Sequence, residues 1–280
     1  MSENPNKPIY LFSIDLEDIR DMVPNGHQFA ERLPETTQQY LDFLRKDQAQ
    51  VTFFVVGDVA RNYPEVIQQI MNEGHEIACH SDKHIPLDQL GEEAFQKDLD
   101  ENINALLKAG ANDIKGFRAP IFSLTQTTQW AYKHLAAAGI TYSSSVLPAN
   151  NFQYGWEDFG KKPKTIENVV ELPMSILGNK RFPYPFGGGA YFRVLPALLI
   201  NQAFKKAAQQ HETVLGYFHP YDIDTKQKGI RFPYVKGWFY NYLMYYNRKS
   251  VFKRLERVKR NDFQMMSYAQ YIDQFLALKS

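Results

Sequence analysis

Two histidines separated by three residues, His80 and His84, are spaced to hold one metal ion. They follow the run 75–79, whose residue types predict a strand. In a helical turn, residues four apart share one face, so that both imidazoles could reach a common cation. The pair therefore predicts a metal site, and the other polar residues are judged by whether they can converge on it.

The elements that must position this pair alternate between strands and helices. Apolar runs such as 9–14 and 213–218 predict seven or eight strands, and amphipathic segments such as 92–108 predict helices between most of them. This alternation, without a low-complexity linker, predicts an α/β protein in which residues 1–280 form one (β/α) barrel of mainly parallel strands. Residues 225–280 would be a basic, aromatic C-terminal extension packed on that barrel.

Four polar residues of catalytic type fall at the ends of predicted strands. They are Asp15, His80, Arg118 and His219. In barrels of parallel strands, the C-terminal strand ends form the mouth where chemistry takes place. We therefore expect these four side chains, from four different strands, to point into one site.

Composition restricts the function classes. The 280 residues carry a net charge of +1, which argues against a global nucleic-acid-binding surface, and the single cysteine, Cys79, excludes an intrachain disulfide framework. The polar stretch 1–7 lacks the apolar segment of a secretory signal, and no run reaches the roughly 18 apolar residues of a membrane span. These features predict a cytoplasmic protein without a nucleic-acid partner.

Four motifs resemble, in order, those of the polysaccharide deacetylases, carbohydrate esterase family four, also called the NodB homology domain. They are 12–18 (FSIDLED), 75–84 (HEIACHSDKH), 116–120 (GFRAP) and 217–220 (YFHP), and the resemblance runs from about residue 8 to 224. It implies a distorted (β/α) barrel that removes N- or O-acetyl groups, usually from sugars, with a divalent metal that is often zinc. Zinc suits amide hydrolysis, because three protein ligands leave it a water whose pKa is lowered to about 7.

The resemblance also implies roles for individual residues. It makes His80 and His84 two of the metal ligands, and it places a carboxylate ligand after the first strand. The chain departs here from the family's adjacent pair of aspartates, so Glu17 is our choice of ligand and Asp18 the alternative. Asp15 then becomes the general base that takes the proton of the attacking water.

Two further roles follow from the same resemblance. Arg118 matches the family's arginine that pairs with the base, since a guanidinium beside a carboxylate keeps it ionised and oriented. His219 matches the histidine that protonates the leaving amine. The family often pairs this histidine with an acid, for which Glu171 is the nearest match here, with Asp222 and Asp224 as alternatives.

A basic and aromatic stretch, 226–262, holds eleven Lys or Arg against only Glu256 and Asp262. Its aromatic residues include Trp238, Phe239, Tyr240, Tyr242, Tyr245 and Tyr246. The favoured interpretation is a solvated face of one helix, 237–259, with the aromatic side chains in the core. The alternative is docking to an anionic membrane surface or to the phosphates of a lipid- or nucleotide-linked sugar. Glycines 187–189 lack nucleotide-binding spacing and predict a flexible loop at the barrel mouth.

The function predicted from these features is a metal-dependent deacetylase, with Zn²⁺ as the favoured divalent ion, that removes an N-acetyl, O-acetyl or formyl group from a sugar. The sugar would be nucleotide-, lipid- or oligosaccharide-linked, in the synthesis of surface polysaccharide or glycolipid. An amidohydrolase acting on a small non-sugar amide or imide is the alternative. A third hypothesis is a non-haem iron oxygenase using His80, Asp82 and His219 with Arg231, but such enzymes have antiparallel β folds, unlike the pattern here.

Overall fold

The computed structural model describes residues 7–150, 153–179, 182–233 and 235–276, so residues 1–6 of the polar N-terminal stretch lie outside it. In these ranges the chain forms eleven strands: β1 (Ile9–Leu16), β2 (Thr52–Val55), β3 (Glu76–Cys79), β4 (Gly116–Phe117), β5 (Tyr142–Ser143), β6 (Lys164–Ile166), β7 (Val169–Glu171), β8 (Ile176–Asn179), β9 (Phe182–Pro185), β10 (Val214–Phe218) and β11 (Gln264–Met266).

Helices follow most of the strands. They are α1 (Leu33–Arg45), α2 (Gly57–Asn62), α3 (Pro64–Asn72), α4 (Leu87–Leu90), α5 (Glu92–Lys108), α6 (Ala131–Ala137), α7 (Gly189–Val194), α8 (Ala197–Gln209), α9 (Trp238–Tyr245), α10 (Val251–Lys259) and α11 (Tyr268–Tyr271). None of these described helices combines the length and the hydropathy needed to cross a bilayer.

Nine strands form one curled sheet, a half-barrel. Eight of them follow the order β10, β1, β2, β3, β4, β5, β7, β6, and β11 pairs with β1 beside that path. Only the β6–β7 pair is antiparallel among the described pairs of this sheet. The strands β8 and β9 form a separate antiparallel hairpin. The predicted α/β fold, a distorted barrel of mainly parallel strands, is confirmed.

Strand β1 lies at the centre of this architecture. All eight of its residues are buried, as expected for a strand in a parallel sheet covered on both faces. It pairs with β10 on one side, while β11 runs beside Ile9–Leu11 and β2 beside Ser13–Leu16 on the other. Its C-terminal end therefore lies next to the C-terminal ends of β2 and β10.

The α5 helix illustrates how the sequence pattern positions these strands. Its observed bounds, Glu92–Lys108, match the predicted segment. Phe95, Leu99 and Leu106 are completely buried because residues three, four and seven apart lie on one helical face. The helix packs that face against the α2 helix and β3, and so holds β3 from behind.

The prediction of one helix over 237–259 with its aromatic residues in the core is wrong. The α9 helix ends at Tyr245, Asn247 adopts a left-handed backbone with φ 59°, and α10 begins only at Val251. The extended backbone of Tyr246, with ψ 131°, ends α9, and the left-handed Asn247 that follows prevents the helix from continuing directly. Five aromatic side chains of this region, instead of being buried, are exposed: Trp238, Phe239, Tyr240, Tyr242 and Tyr246.

Of the glycines 187–189, Gly187 and Gly188 lie directly on the backbone of β10, whereas Gly189 lies against the Tyr217 side chain. A Cβ atom at Gly187 would come within 2.1 Å of the Leu215 carbonyl oxygen, and one at Gly188 within 1.9 Å of the Tyr217 oxygen. No side chain fits at these distances, so glycine is required by close backbone approach. The segment thereby covers the free edge of β10, the strand that leads to His219.

His75, which precedes β3, predicts a pH-dependent contribution to stability. Its imidazole is buried, and Nδ1 lies 3.3 Å from the Val51 amide nitrogen that donates to it. Burial lowers the pKa of His75 from 6.5 to about 4. Folding therefore favours the neutral imidazole, and this contribution, fully present above pH 6.5, is lost as the pH falls towards 4.

We expect the wild-type protein to lose roughly 2 kcal/mol more stability than His75→Gln between pH 7.0 and pH 4.5. Denaturant unfolding of both proteins in chelator, at the two pH values, measures the difference. His211→Asn, at an exposed histidine with a left-handed φ of 53° that asparagine tolerates, serves as the control and should follow the wild type. Parallel pH curves for wild type and His75→Gln would contradict the prediction.

Candidate active site

Three buried residues with metal-ligating side chains meet at the C-terminal ends of β1 and β3. They are Glu17, His80 and His84, whose ligand atoms lie within 4.8 Å of one another. Each residue is at most 5% exposed, and His84 Nε2 is 2.7 Å from Glu17 Oε2. Two imidazoles and one carboxylate are a donor set found in catalytic zinc sites, so these residues fit a divalent metal ion.

The two histidines come together through a loop, and the helical turn assumed from their spacing is wrong. Residues 80–84 have no helical assignment, and Ser81 and His84 adopt left-handed φ values of 67° and 54°. The Asp98 carboxylate holds this loop by accepting the amide of Asp82 at 2.9 Å. Left-handed backbone at non-glycine residues costs about 1 kcal/mol or more and persists where surrounding contacts impose it, often at functional sites.

His80 is held in the tautomer that a metal ligand needs. Its Nδ1 lies 2.8 Å from the Arg118 carbonyl oxygen, which can only accept, so Nδ1 carries the proton and donates. The bare Nε2 faces Asp15 Oδ2 and Glu17 Oε2, at 3.9 Å and 4.0 Å. Burial lowers the pKa of His80 to about 4, so that its imidazole is neutral at neutral pH.

Glu17 is ionised by its surroundings. Burial alone would raise the pKa of this carboxyl, but the imidazoles of His84 and His219 hold it well below its usual range. The neighbouring Asp18 is engaged elsewhere, since it forms an ion pair of 2.6 Å with Arg20. The structure thus places Glu17, and not Asp18, beside the two histidines.

Asp15 and Arg118 form a buried ion pair next to this cluster. The guanidinium Nη1 donates to Asp15 Oδ1 at 2.5 Å and to the Ser13 hydroxyl at 2.7 Å. The other carboxylate oxygen, Oδ2, is 3.9 Å from His80 Nε2 and 4.0 Å from His219 Nε2. Arg118 therefore fixes one oxygen of Asp15 and leaves the other facing the two histidines.

Arg118 is itself held on every side. It is completely buried, its carbon Cζ lies 4.0 Å from the Phe54 ring centroid, and Nε donates to the Ser144 carbonyl at 2.9 Å. Nη2 donates to the Tyr268 hydroxyl at 2.9 Å. Sequence reasoning missed Tyr268, because it follows a short strand whose pairing with β1 has no local signal.

His219 has an acid partner, and it is Asp222. The Asp222 Oδ2 atom lies 2.9 Å from His219 Nδ1, and Oδ1 accepts from Arg193 Nε at 2.9 Å. Burial alone would lower the pKa of His219, but Glu17 and Asp222 raise it to about 9. Burial alone would raise the pKa of Asp222, yet Arg193 and His219 lower it to about 2. The pair is thus an imidazolium held by a carboxylate.

The preference for Glu171 as this partner is wrong. Its buried carboxylate accepts the amides of Ser145 and Val146, at 2.7 Å and 2.9 Å, and so positions the loop after β5. Asp224 pairs with Arg32 at 3.0 Å and makes no recorded contact with His219 among the described residues. A carboxylate three residues after the histidine can cap the same short turn. This local geometry brings Asp222, rather than Glu171 or Asp224, to the His219 imidazole.

Two other residues near His219 were not anticipated. Tyr221 stacks on the imidazole with ring centroids 4.5 Å apart, and Arg193 is a completely buried arginine that ties down Asp222. The signals were present in the sequence. Tyr221 lies between His219 and Asp222, and Arg193 closes the run that begins with the packed glycines.

The oxygenase ligand set is not assembled. Both carboxylate oxygens of Asp82 are bonded by Arg61, at 2.7 Å and 2.9 Å, and Asp82 is absent from the described cluster of ligand atoms. Arg231 is exposed. The mixed, mainly parallel sheet also differs from the antiparallel β structure that this hypothesis requires.

The protein is thus an α/β half-barrel built on a curled, mainly parallel sheet. A buried cluster of two histidines and one carboxylate, suited to a metal ion, lies at the C-terminal ends of its strands. Residues 21–142 match the family described as polysaccharide deacetylase. This match confirms the resemblance to the polysaccharide deacetylases over residues 21–142, which contain two of the four motifs, 75–84 and 116–120.

Individual relatives agree with this assignment. A peptidoglycan-N-acetylglucosamine deacetylase of Bacillus cereus is 35% identical over 66 residues, 24% of this chain and 31% of that protein. A chitooligosaccharide deacetylase of Rhizobium leguminosarum is 32% identical over 76 residues, 27% of this chain and 35% of that protein. The matches thus span about a third of these relatives. A solved structure from Mycobacterium smegmatis, provisionally described as a polysaccharide deacetylase, shares the fold, with a TM-score of 0.62, 19% identity and coverage of 100% of this chain and 94% of that one.

A second match covers most of the remaining chain. Residues 144–272 match a family described as a domain of unknown function (DUF3473). The first match contains His80, His84 and Arg118, whereas the second contains His219 together with its partners Asp222 and Arg193, and Tyr268, which contacts Arg118. Asp15 and Glu17 precede both matches. The site therefore draws on both matched regions and on the strand before them.

Proposed function

We propose that the protein is a metal-dependent deacetylase that hydrolyses an N-acetyl, O-acetyl or formyl group on a sugar. One observation carries the proposal. The free oxygen of Asp15 and Nε2 of His219 lie 4.0 Å apart beside the cluster of Glu17, His80 and His84. A candidate base and a candidate acid thus face one small volume next to a candidate metal site, as amide hydrolysis requires.

The residues that would hold the metal are Glu17, His80 and His84, and we propose Zn²⁺ as the ion because two imidazoles and a carboxylate suit it. A bound Zn²⁺ supplies Lewis-acid polarisation of the substrate carbonyl and acidifies water. Ionised Glu17 and neutral His80 are in the protonation states that ligation needs.

Asp15 accepts the proton of the attacking water in this proposal. Its Oδ1 is occupied by Arg118, so only Oδ2 is directed toward the reacting atoms. The buried guanidinium balances the carboxylate charge, and it fixes the direction from which the proton is taken.

His219 donates a proton to the leaving nitrogen or oxygen. Its Nδ1 is engaged by Asp222, so Nε2 is the atom that delivers the proton. The pKa of about 9 means that the imidazole is protonated at neutral pH and ready to act as an acid. Tyr221, stacked on the ring, restricts its rotation.

Asp222→Asn tests the positioning of His219. We expect kcat to fall by about 10²- to 10⁴-fold, with KM changed less than threefold and full metal content, because an amide no longer fixes the imidazole's tautomer and charge. Asp222→Glu should recover part of the lost kcat. The matched control is Asp224→Asn, whose carboxylate pairs with Arg32, and which should cost stability while leaving kcat of the folded protein within threefold. Equal kcat losses in both asparagine variants would contradict the assignment.

The proposed substrate is an acylated sugar carried by a nucleotide, a lipid or an oligosaccharide, as a precursor of surface polysaccharide or glycolipid. Two relatives whose names specify chitooligosaccharide and peptidoglycan N-acetylglucosamine support an N-acetylated amino sugar. We propose a cytoplasmic location with a peripheral contact to the inner membrane face through residues 226–262, and a single domain as the functional unit.

Elemental analysis of purified protein, coupled to an acetate-release screen, tests the proposed function. The screen covers nucleotide sugars, lipid-linked sugars, oligosaccharides, and small non-sugar amides and imides. We expect stoichiometric zinc and acetate release from at least one sugar class. Release from the non-sugar amides alone would favour the amidohydrolase alternative, and absence of bound divalent metal would refute metal dependence.

A further inference from the structure

We propose that the α9 helix is a docking element for an anionic lipid surface. No residue of α9, all eight of which the structure describes, has a buried side chain. Trp238 is 81% exposed, Phe239 51%, Tyr240 58% and Tyr242 54%, and Tyr246 just beyond the helix is 42% exposed. Large aromatic side chains concentrated on one exposed helix mark an interaction surface.

The outward and inward faces of α9 are clearly separated. Trp238, Tyr242 and Tyr246, four residues apart, share the exposed face. On the opposite face, Met244 and Tyr245 pack against a small buried cluster, and the Tyr245 hydroxyl donates to the Ile230 carbonyl at 2.8 Å. The helix is therefore anchored through Met244 and Tyr245, and its other aromatic side chains, Trp238, Phe239, Tyr240 and Tyr242, remain exposed.

The charge around α9 identifies the partner. Between Asp224 and Glu256 the sequence contains eight Lys or Arg and no Asp or Glu. Exposed cationic side chains stand before the helix and after it: Lys228, Arg231, Lys236, Lys249 and Lys253. Lys226 is also exposed, but it is paired with Glu35 at 2.7 Å. Aromatic rings flanked by cations suit the boundary between lipid headgroups and acyl chains, where rings enter the interface and cations bind anionic headgroups.

The docking element is connected to the candidate active site. Arg193 Nη1 donates to the carbonyl oxygens of Leu243 and Tyr246, at 3.3 Å and 2.7 Å, while its Nε donates to Asp222, the partner of His219. The Arg193 guanidinium thus connects the C-terminal end of α9 to Asp222 by hydrogen bonds to both. A protein docked through α9 would hold His219 close to the lipid surface, where a lipid-linked sugar would be presented. The inference concerns the docking surface and does not require the proposed deacetylation.

Vesicle co-sedimentation of the full chain tests the proposal. The probes are vesicles of phosphatidylcholine alone and vesicles in which about 30% of the lipid is anionic phosphatidylglycerol, a fraction that gives the vesicle a negative surface potential. We expect binding to the anionic vesicles that weakens as salt rises, and little binding to the neutral ones. Trp238→Ala combined with Phe239→Ala should lower the partition coefficient about tenfold or more. Lys236→Glu should lower it at least about fivefold.

The matched control is Leu198→Ala, on the α8 helix, where an apolar side chain is 67% exposed. This variant should bind anionic vesicles as the wild type does, and the α9 variants should release acetate from a soluble substrate at the wild-type rate. Equal binding to neutral vesicles, no loss in the α9 variants, or the same loss in Leu198→Ala would overturn the proposal. A wild-type dimer that Trp238→Ala converts to monomer, without vesicle binding, would instead assign the surface to a second copy. Because vesicle binding is measured without turnover, its failure is distinguishable from failure of the proposed function.

Discussion

Replacing His80 by alanine is expected to remove the bound metal and the hydrolytic activity together. His80 supplies one of three clustered ligand side chains, and its Nε2 is already oriented by the hydrogen bond between Nδ1 and the Arg118 carbonyl. A site reduced to Glu17 and His84 has too few protein ligands to retain zinc. We expect metal content close to zero after dialysis and a loss of activity on the order of 10³-fold or more. Elemental analysis and acetate release on the same sample measure both.

His134→Ala is the matched control for this variant. His134 bonds Gln96 at 2.8 Å on the helical surface and lies outside the ligand cluster. It should keep full metal content and activity. Circular dichroism and thermal unfolding of both variants separate loss of the site from loss of the fold. A folded His80→Ala protein with stoichiometric zinc would show that the ligand assignment is wrong.

Asp15→Asn is expected to lower activity sharply while leaving the metal in place. Asparagine has almost the same shape and can still accept from Arg118, so the ion pair becomes a hydrogen bond and the site keeps its geometry. It cannot accept a proton at Oδ2. Removing a general base costs typically 10²- to 10⁴-fold, and we expect kcat to fall by about 10³-fold at unchanged metal content. Full activity in Asp15→Asn would refute the base assignment.

A neighbouring carboxylate provides the control for Asp15→Asn and decides between the two candidate ligands. Asp18 is bound to Arg20 and is not part of the described cluster of ligand atoms. Asp18→Asn should retain metal and activity within about threefold, whereas Glu17→Gln should lose metal, because a neutral amide replaces the ionised oxygen. Metal loss in Asp18→Asn alone would reverse the choice of Glu17.

The sequence allowed the sheet and the strand-end residues to be predicted because both depend on local patterns. The α5 helix was predicted with its observed bounds, since its apolar residues repeat with helical spacing between Gly91 and Gly110. Asp15, Arg118 and His219 were expected in one site because parallel strands align their C-terminal ends. The structure brings Asp15 next to both of the others.

Predictions that depended on loop backbone or on chain segments far apart were less successful. The spacing of His80 and His84 was explained by a helical turn, but left-handed residues create the same proximity in a loop. Glu171 was preferred because it was the nearest match to the acid of the family motif. The sequence does not reveal that Asp222, three residues after His219, caps the same short turn. The aromatic residues of α9 were expected in the core because hydrophobicity usually leads to burial, a rule that fails at an interaction surface.

The contact between Arg118 and Tyr268 has a consequence for the order in which the molecule matures. On the ribosome, the strand bearing Asp15 is made well before β11, which pairs with that strand, and before Tyr268, which steadies Arg118. Pairings between such distant segments form slowly, since the intervening chain must be ordered first. A nascent chain can therefore build most of its core while Arg118, the partner of Asp15, is not yet fixed by Tyr268. The proposed hydrolytic competence would be acquired only after the segment that contains β11 and Tyr268 has been made and has folded onto β1.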